Sequence, residues 1–127
     1  MNKHLAIYIS NNENKKQIIK RIISGQIINE LSSLKHALFS EITVNRFIDE
    51  ERRHGQYDVK TKTKNSLTKS SQGQRKTALL SHIISQNPEY LIVDNVFDSL
   101  DVQAQKEIEI VLTQLGHNIP IIQITKV

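Results

Sequence analysis

The sequence contains no cysteine and no tryptophan, and its 127 residues include only three tyrosines and three phenylalanines. Without cysteine there can be neither a disulfide framework nor a thiolate metal site. The five histidines are scattered and none forms the i, i+4 pair of a helical metal site. No apolar run is long enough to span a membrane and the N-terminus has no signal-peptide pattern. We therefore expect one cytoplasmic domain over residues 1–127.

The polar stretch from Gln56 to Lys69 carries much of the formal net charge of +4. Its positive charge comes from Lys60, Lys62, Lys64 and Lys69. Such a run can follow phosphates, but it has no interleaved aromatic side chains on which bases would stack. We predict a mobile, solvated loop over residues 56–69 and no direct binding of nucleic acid.

The most informative stretch runs from Ser70 to Asp101. A polar turn, Ser71–Gln74, precedes an apolar helical stripe, which Asn87-Pro88 ends because proline cannot continue a helix. The short apolar run Tyr90–Val93 predicts a strand that is buried on both faces. It ends at Asp94, and open α/β sheets bind ligands at the carboxyl ends of their strands.

The first third of the chain has the order strand, loop, lysine, helix. Leu5–Ile9 predicts a strand, Lys15 begins a helix with an isoleucine stripe, and Gly25 stands where a capping glycine is expected. Backbone N–H groups at such a helix start can cradle a phosphate. Residues 26–37 are ambiguous, since their apolar spacing suits a helix that continues after a turn, and residues 38–40 suit a strand end.

Three further elements follow from periodicity. Residues 42–53 predict a helix with Phe47 and Ile48 inward and the charged residues 49–53 outward. Residues 108–115 predict a helix that ends at Gly116, and residues 119–124 predict a buried strand.

These motifs resemble an ATP-binding-cassette (ABC) ATPase. Ser71, Gly73 and Gln74 match the family's signature motif, in which Gln72 takes the remaining position. Asp94 falls at the aspartate of the Walker B strand, and Ser99, Leu100 and Asp101 match the D-loop. The resemblance implies an α/β fold with a P-loop NTPase-like parallel sheet flanked by helices. The helical subdomain would be reduced, because few residues separate Ser40 from Ser71.

The resemblance assigns the nucleotide site to the first helix. Lys15 aligns with the phosphate-binding lysine of Walker A, and Asn12, Asn14 and Ile9 occupy the three glycine positions. Lys16 replaces the Ser/Thr that binds magnesium and puts a second cation at that place. The resemblance implies ATP as the cofactor, bound at Asn12, Asn14, Lys15 and Lys16, and it implies that Mg²⁺ would be held only weakly, through Asp94.

Two catalytic positions of the family are also substituted. Asn95 stands where a glutamate orients the attacking water, and Lys126 stands where a switch histidine contacts the γ-phosphate. Phosphoryl transfer to water needs a metal ion, a positioned water and stabilised phosphate charge. The resemblance therefore implies little or no ATPase activity from this chain's own residues.

Within the family the nearest likeness is to the N-terminal cassette of ModF-type tandem ATP-binding proteins. It rests on Arg75–Leu80 after the signature and on the run from Asp94 to Asp101.

Two hypotheses remain open. In the first, the chain is a degenerate ABC domain that contributes its signature motif to a second cassette in a homodimer or heterodimer. A membrane transport complex is then a further expected partner, and the chain would lie at the periphery of the membrane. In the second, it is a non-catalytic interaction module that keeps the P-loop fold without nucleotide. For the signature motif itself, the alternative to a role toward a partner's nucleotide is that Gly73 remains only for turn geometry.

Overall fold

The computed structural model describes residues 4–9, 14–54, 71–94 and 100–126. Within these ranges the strands are β1 (His4–Ile9), β2 (His36–Phe39), β3 (Tyr90–Asp94) and β4 (Ile121–Lys126). The helices are α1 (Lys15–Ile23), a 3₁₀-helix (Asn29–Ser33), α2 (Glu41–His54), α3 (Gln72–Ser85) and α4 (Val102–Gly116). The predicted loop over residues 56–69 lies outside the described residues.

The four strands form one parallel sheet in the order β1-β4-β3-β2. Parallel strands need crossover connections, and α1, α3 and α4 lie between strands in the chain as such crossovers require. All carboxyl ends meet at one edge of the sheet, where Ile9 pairs with Lys126 and Asp94 pairs with Ile124. This edge is the candidate site.

Helices cover both faces of the sheet. On one face, Ile18 and Ile22 of α1 pack with Leu31 of the 3₁₀-helix against Ile92 and Ile122. On the other face, side chains of α2, α3 and α4 form the larger core, whose buried members include Val44, Leu79, Leu80, Ile108, Leu91 and Val93. The strand β3 is buried along its whole length, as its continuous apolar run predicts. The predicted fold class, a P-loop NTPase-like α/β sheet flanked by helices, is confirmed.

The ambiguous residues 26–37 do not continue α1. Gly25 has φ +83°, a left-handed conformation that favours glycine and ends the helix. The chain then extends at Ile28 and makes the short 3₁₀-helix before β2. The apolar spacing misled because Leu31 and Leu34 contact the core from a 3₁₀-helix and its end rather than from an α-helix.

The prediction that residues 49–53 all point outward is wrong at Glu51, which is buried. Glu51 follows Val44 and Ile48 by seven and three residues, so all three lie on the inward stripe of α2. No helix in the described ranges is long and apolar enough to cross a membrane.

Candidate site at the carboxyl edge of the sheet

The last residue of β3 and the first residue of α1 meet at the carboxyl edge. Side chains alternate along a strand, so Asp94 shares a face with Tyr90 and Ile92, and this is the face that α1 covers. Lys15 begins α1, and its Nζ lies 3.0 Å from Asp94 Oδ1. The structure therefore joins the predicted phosphate lysine to the predicted Walker B aspartate.

This contact is an ion pair between unequally buried groups. The Asp94 side chain is 6% exposed, whereas the Lys15 side chain is 27% exposed. Apart from this charge contact, Asp94 Oδ1 accepts no hydrogen bond of ordinary geometry from the described part of the chain. The ammonium of Lys15 therefore compensates the charge of a carboxylate that water hardly reaches.

The start of α1 is capped by its own chain. Asn14 is the N-cap residue, and its Oδ1 accepts a hydrogen bond from the backbone N–H of Lys16 at 2.9 Å. Asparagine is among the preferred N-cap residues, because its side chain satisfies an N–H group that the helix leaves free. Asn14 was predicted to bind nucleotide, but in this structure its side chain accepts the hydrogen bond of the Lys16 N–H, a donor that a phosphate would use.

The predicted signature residues form the start of α3. The sequence suggests a turn over Ser71–Gln74, but only Ser71 lies outside the helix, as its N-cap. Ser71 Oγ accepts from the N–H of Gln74, and Gln74 Oε1 accepts from the N–H of Ser71, both at 3.3 Å. This is a capping box, a pattern that the Ser-x-x-Gln spacing alone could have indicated. Gln72 is the first helical residue and is exposed.

Gly73 allows α3 to approach α4. A Cβ atom on Gly73 would lie 2.9 Å from Cβ of Ala104, and its φ is not in the left-handed region. The structural alternative for Gly73 therefore takes another form, because the position lies in the first turn of a helix and the constraint there is packing against Ala104 rather than turn geometry. Asp101 caps α4 by accepting from Ala104 N at 2.7 Å, and Leu100 lies beside Gly73.

The predicted site residues thus fall into two groups. Lys15, Asn14 and Asp94 meet on the α1 face, whereas the signature and D-loop residues meet where α3 packs on α4, on the opposite face. Asn12, Asn95 and Ser99 lie outside the described residues. The backbone of Lys126 ends β4 beside Ile9, and its predicted switch role stays a prediction.

The ion pair between Lys15 and Asp94 opposes the binding of a magnesium ion at Asp94. Mg²⁺ takes oxygen ligands in near-octahedral geometry, whereas Asp94 Oδ1 faces an ammonium group. Among the residues in view, no cluster of three or more His, Cys, Asp or Glu side chains could hold a metal ion.

Sequence reasoning missed Lys76, a charged residue of α3 that is completely buried. Its position gives the signal, because Lys76, Leu80 and Ile83 are spaced i, i+4 and i+7 along the inward stripe.

Comparison with known proteins supports the fold. Neither a protein-family model nor a curated protein matches this sequence. Among solved structures, the chain is similar to CbiO1 from Clostridium perfringens, which is part of the ABC transporter complex CbiONQ, with a TM-score of 0.60 and 16% sequence identity. The match covers 99% of this chain and 68% of that chain. The chain therefore has the fold of this ABC transporter component.

Proposed function

We propose that this chain is a cytoplasmic ABC-type nucleotide-binding domain that binds ATP by charge, hydrolyses it slowly or not at all, and completes the site of a second cassette. The observation that carries the proposal is the pairing of Lys15 with Asp94 at the carboxyl edge of a parallel sheet. A lysine at a helix N-terminus above that edge is the arrangement that P-loop folds use for phosphate.

Low hydrolytic activity follows from three substituted positions. Lys16 cannot serve as the magnesium ligand, Asn95 cannot accept a proton from water, and Lys126 replaces the γ-phosphate histidine. Loss of one such electrostatic or acid–base contact lowers a rate by on the order of a hundredfold. Three losses together leave binding as the main property of the nucleotide site.

Binding by charge can be tested by titrating ATP, with magnesium and with EDTA, while the melting temperature is followed. We expect stabilisation that does not require magnesium and that falls as salt rises, since exposed charges are screened. Lys15→Ala should remove the stabilisation. Lys20→Ala is the matched control, because Lys20 is an exposed lysine of the same helix, five residues further from the helix start. Tight binding that strictly needed magnesium and survived Lys15→Ala would contradict the proposal.

The second cassette is proposed from the intact signature. Ser71 Oγ accepts from Gln74 N, which leaves its hydroxyl proton available for a phosphate oxygen, and the positive end of α3 favours an anion. The likeness of Arg75–Leu80 to ModF-type tandem proteins makes a tandem cassette the first partner to test, and a second copy of this chain the next. Because CbiO1 is part of a transporter complex, a peripheral place in a membrane transport complex follows as a further proposal.

The alternative is an interaction module that keeps the fold and binds no nucleotide. It is favoured by the fact that Asn14 and Asp94 already contact donors that phosphate would use. If ATP at millimolar concentration leaves the melting temperature of the wild-type chain and of a mixture with the partner unchanged, the module hypothesis is the correct one.

A further inference from the structure

Two kinds of donor would hold a phosphate at the start of α1, namely backbone N–H groups and a lysine ammonium. One donor of each kind already has an oxygen partner from this chain. The N–H of Lys16 donates to Asn14 Oδ1 at 2.9 Å, and Lys15 Nζ lies 3.0 Å from Asp94 Oδ1. An amide oxygen and a carboxylate oxygen therefore contact two of the groups that phosphate oxygens would contact.

We propose that the phosphate site is self-occupied, with Asp94 and Asn14 acting as internal competitors of the anion. The inference rests on the proposed function, because both take the start of α1 as the phosphate site. It also makes a prediction that the resemblance does not make. Removing the charge of Asp94 should raise the affinity for a polyphosphate in the absence of metal, not lower it.

Burial explains why Asp94 is the stronger competitor. If Lys15 moved to a phosphate, the carboxylate of Asp94 would stay in a place where its side chain is only 6% exposed, without its counter-charge. The Lys15 side chain is 27% exposed, so it can turn toward solvent when Asp94 is neutral. Asn14 is exposed and uncharged, and a charged phosphate oxygen is a better acceptor than its amide oxygen.

The test is calorimetric titration of the whole chain in EDTA with two probes, ATP and inorganic triphosphate. Asp94→Asn keeps the shape of the side chain and removes its charge. We expect this variant to bind both probes about tenfold to a hundredfold more tightly than the wild type. That range lies between the roughly sixfold effect of one unit charge about 4 Å away in bulk water and the roughly thousandfold effect at the effective dielectric of a protein surface. Equal gains for both probes identify phosphate as the group recognised, and a gain for ATP alone identifies the whole nucleotide.

Three further variants separate local competition from a general change of charge. Asp49→Asn removes one exposed carboxylate from α2 and should leave both affinities unchanged. In a Lys15→Ala background, Asp94→Asn should no longer increase affinity, because the group that Asp94 occupies is gone. Asn14→Gly restores a glycine of the motif, costs the cap only slightly, and should give a smaller gain of about threefold, since it frees a neutral hydrogen bond.

The outcomes are distinct. A gain in Asp94→Asn that disappears without Lys15 supports self-occupation. A gain that persists without Lys15 reflects long-range charge and overturns self-occupation. Unchanged or weaker binding by both Asp94→Asn and Asn14→Gly, when the wild type binds, also overturns self-occupation. In either case the proposed nucleotide binding stands. If no variant binds either probe, both the self-occupied site and the proposed nucleotide binding are wrong. Melting temperatures within a few degrees of the wild type confirm that each variant is folded.

Discussion

Replacing Gly73 by alanine should destabilise the chain, although alanine is the better helix former. The added Cβ would lie 2.9 Å from Cβ of Ala104, closer than two methyl carbons can approach. Overpacking of this kind costs about 1–3 kcal/mol, and the gain from removing a helical glycine is at most about 1 kcal/mol. We expect a net loss of about 1 kcal/mol, with an upper bound near 2 kcal/mol because α3 begins at this point and can shift slightly.

Gly116→Ala is the matched control. Gly116 is also helical, and a Cβ there would meet only Cδ1 of Ile121, at 3.4 Å. That is an ordinary van der Waals contact with the end of a flexible side chain, so the same chemical change should be neutral or stabilising by up to about 1 kcal/mol. The two glycines should therefore respond with opposite signs.

Urea unfolding followed by circular dichroism measures both changes, and a loss of 1 kcal/mol lowers the melting temperature by roughly 4 °C for a domain of this size. The combined variant Gly73→Ala with Ala104→Gly moves the methyl group from one helix to the other and should recover most of the loss. A Gly73→Ala chain as stable as Gly116→Ala would refute the packing argument. If adding Ala104→Gly does not restore the stability of Gly73→Ala, the destabilisation does not come from the contact with Ala104.

Two further predictions concern turnover and alkaline pH. The isolated chain should release phosphate from ATP far more slowly than the roughly 1 per second of an ordinary enzyme, and a turnover near that value which Asp94→Ala abolished would contradict this. Burial raises the pKa of Tyr90, whose side chain is fully buried. The unfolded chain therefore releases this proton at a lower pH than the folded chain does, so stability should fall as pH rises above about 10. Tyr90→Phe should lessen that fall and change stability little at pH 7, since its hydroxyl has no hydrogen-bond partner within the described ranges. Urea midpoints at pH 8 and pH 10.5 measure both effects.

The spacing of apolar residues predicted those helices and strands whose buried residues follow one clear pattern. It succeeded for α1, α4 and β3 because their apolar spacing matches a single geometry. It failed for residues 26–37, where the same spacing suits an α-helix or a 3₁₀-helix and the left-handed Gly25 decides between them.

The core of the candidate site could be predicted only in part. The motif resemblance selected Lys15 and Asp94 separately, but their contact depends on strand order and on which face of the sheet α1 covers. Neither the strand order nor the face that α1 covers can be predicted from local sequence. Capping is local, and both Asn14 before a helix and the Ser-x-x-Gln spacing at Ser71 are patterns that sequence alone contains.

Three of the four predicted signature residues have a structural role in this chain, so their presence alone does not indicate a role toward nucleotide. Ser71 and Gln74 satisfy each other's backbone groups, and Gly73 makes room for Ala104. Retention of the motif would follow from folding alone, so a role toward a partner's nucleotide must be separated from capping.

A charge-only comparison at Ser71 makes that separation. Aspartate and asparagine both serve well as N-cap residues, so Ser71→Asp and Ser71→Asn should each keep the start of α3 and a melting temperature within about 3 °C of the wild type. They differ by one negative charge at the place where the partner's γ-phosphate would dock. If Ser71 acts on a nucleotide held by a second cassette, Ser71→Asp should weaken ATP-dependent association at least tenfold through repulsion of like charges, whereas Ser71→Asn should weaken it far less. Sedimentation with an ATP-binding partner measures this, and equal association of the two variants would leave Ser71 with its capping role alone.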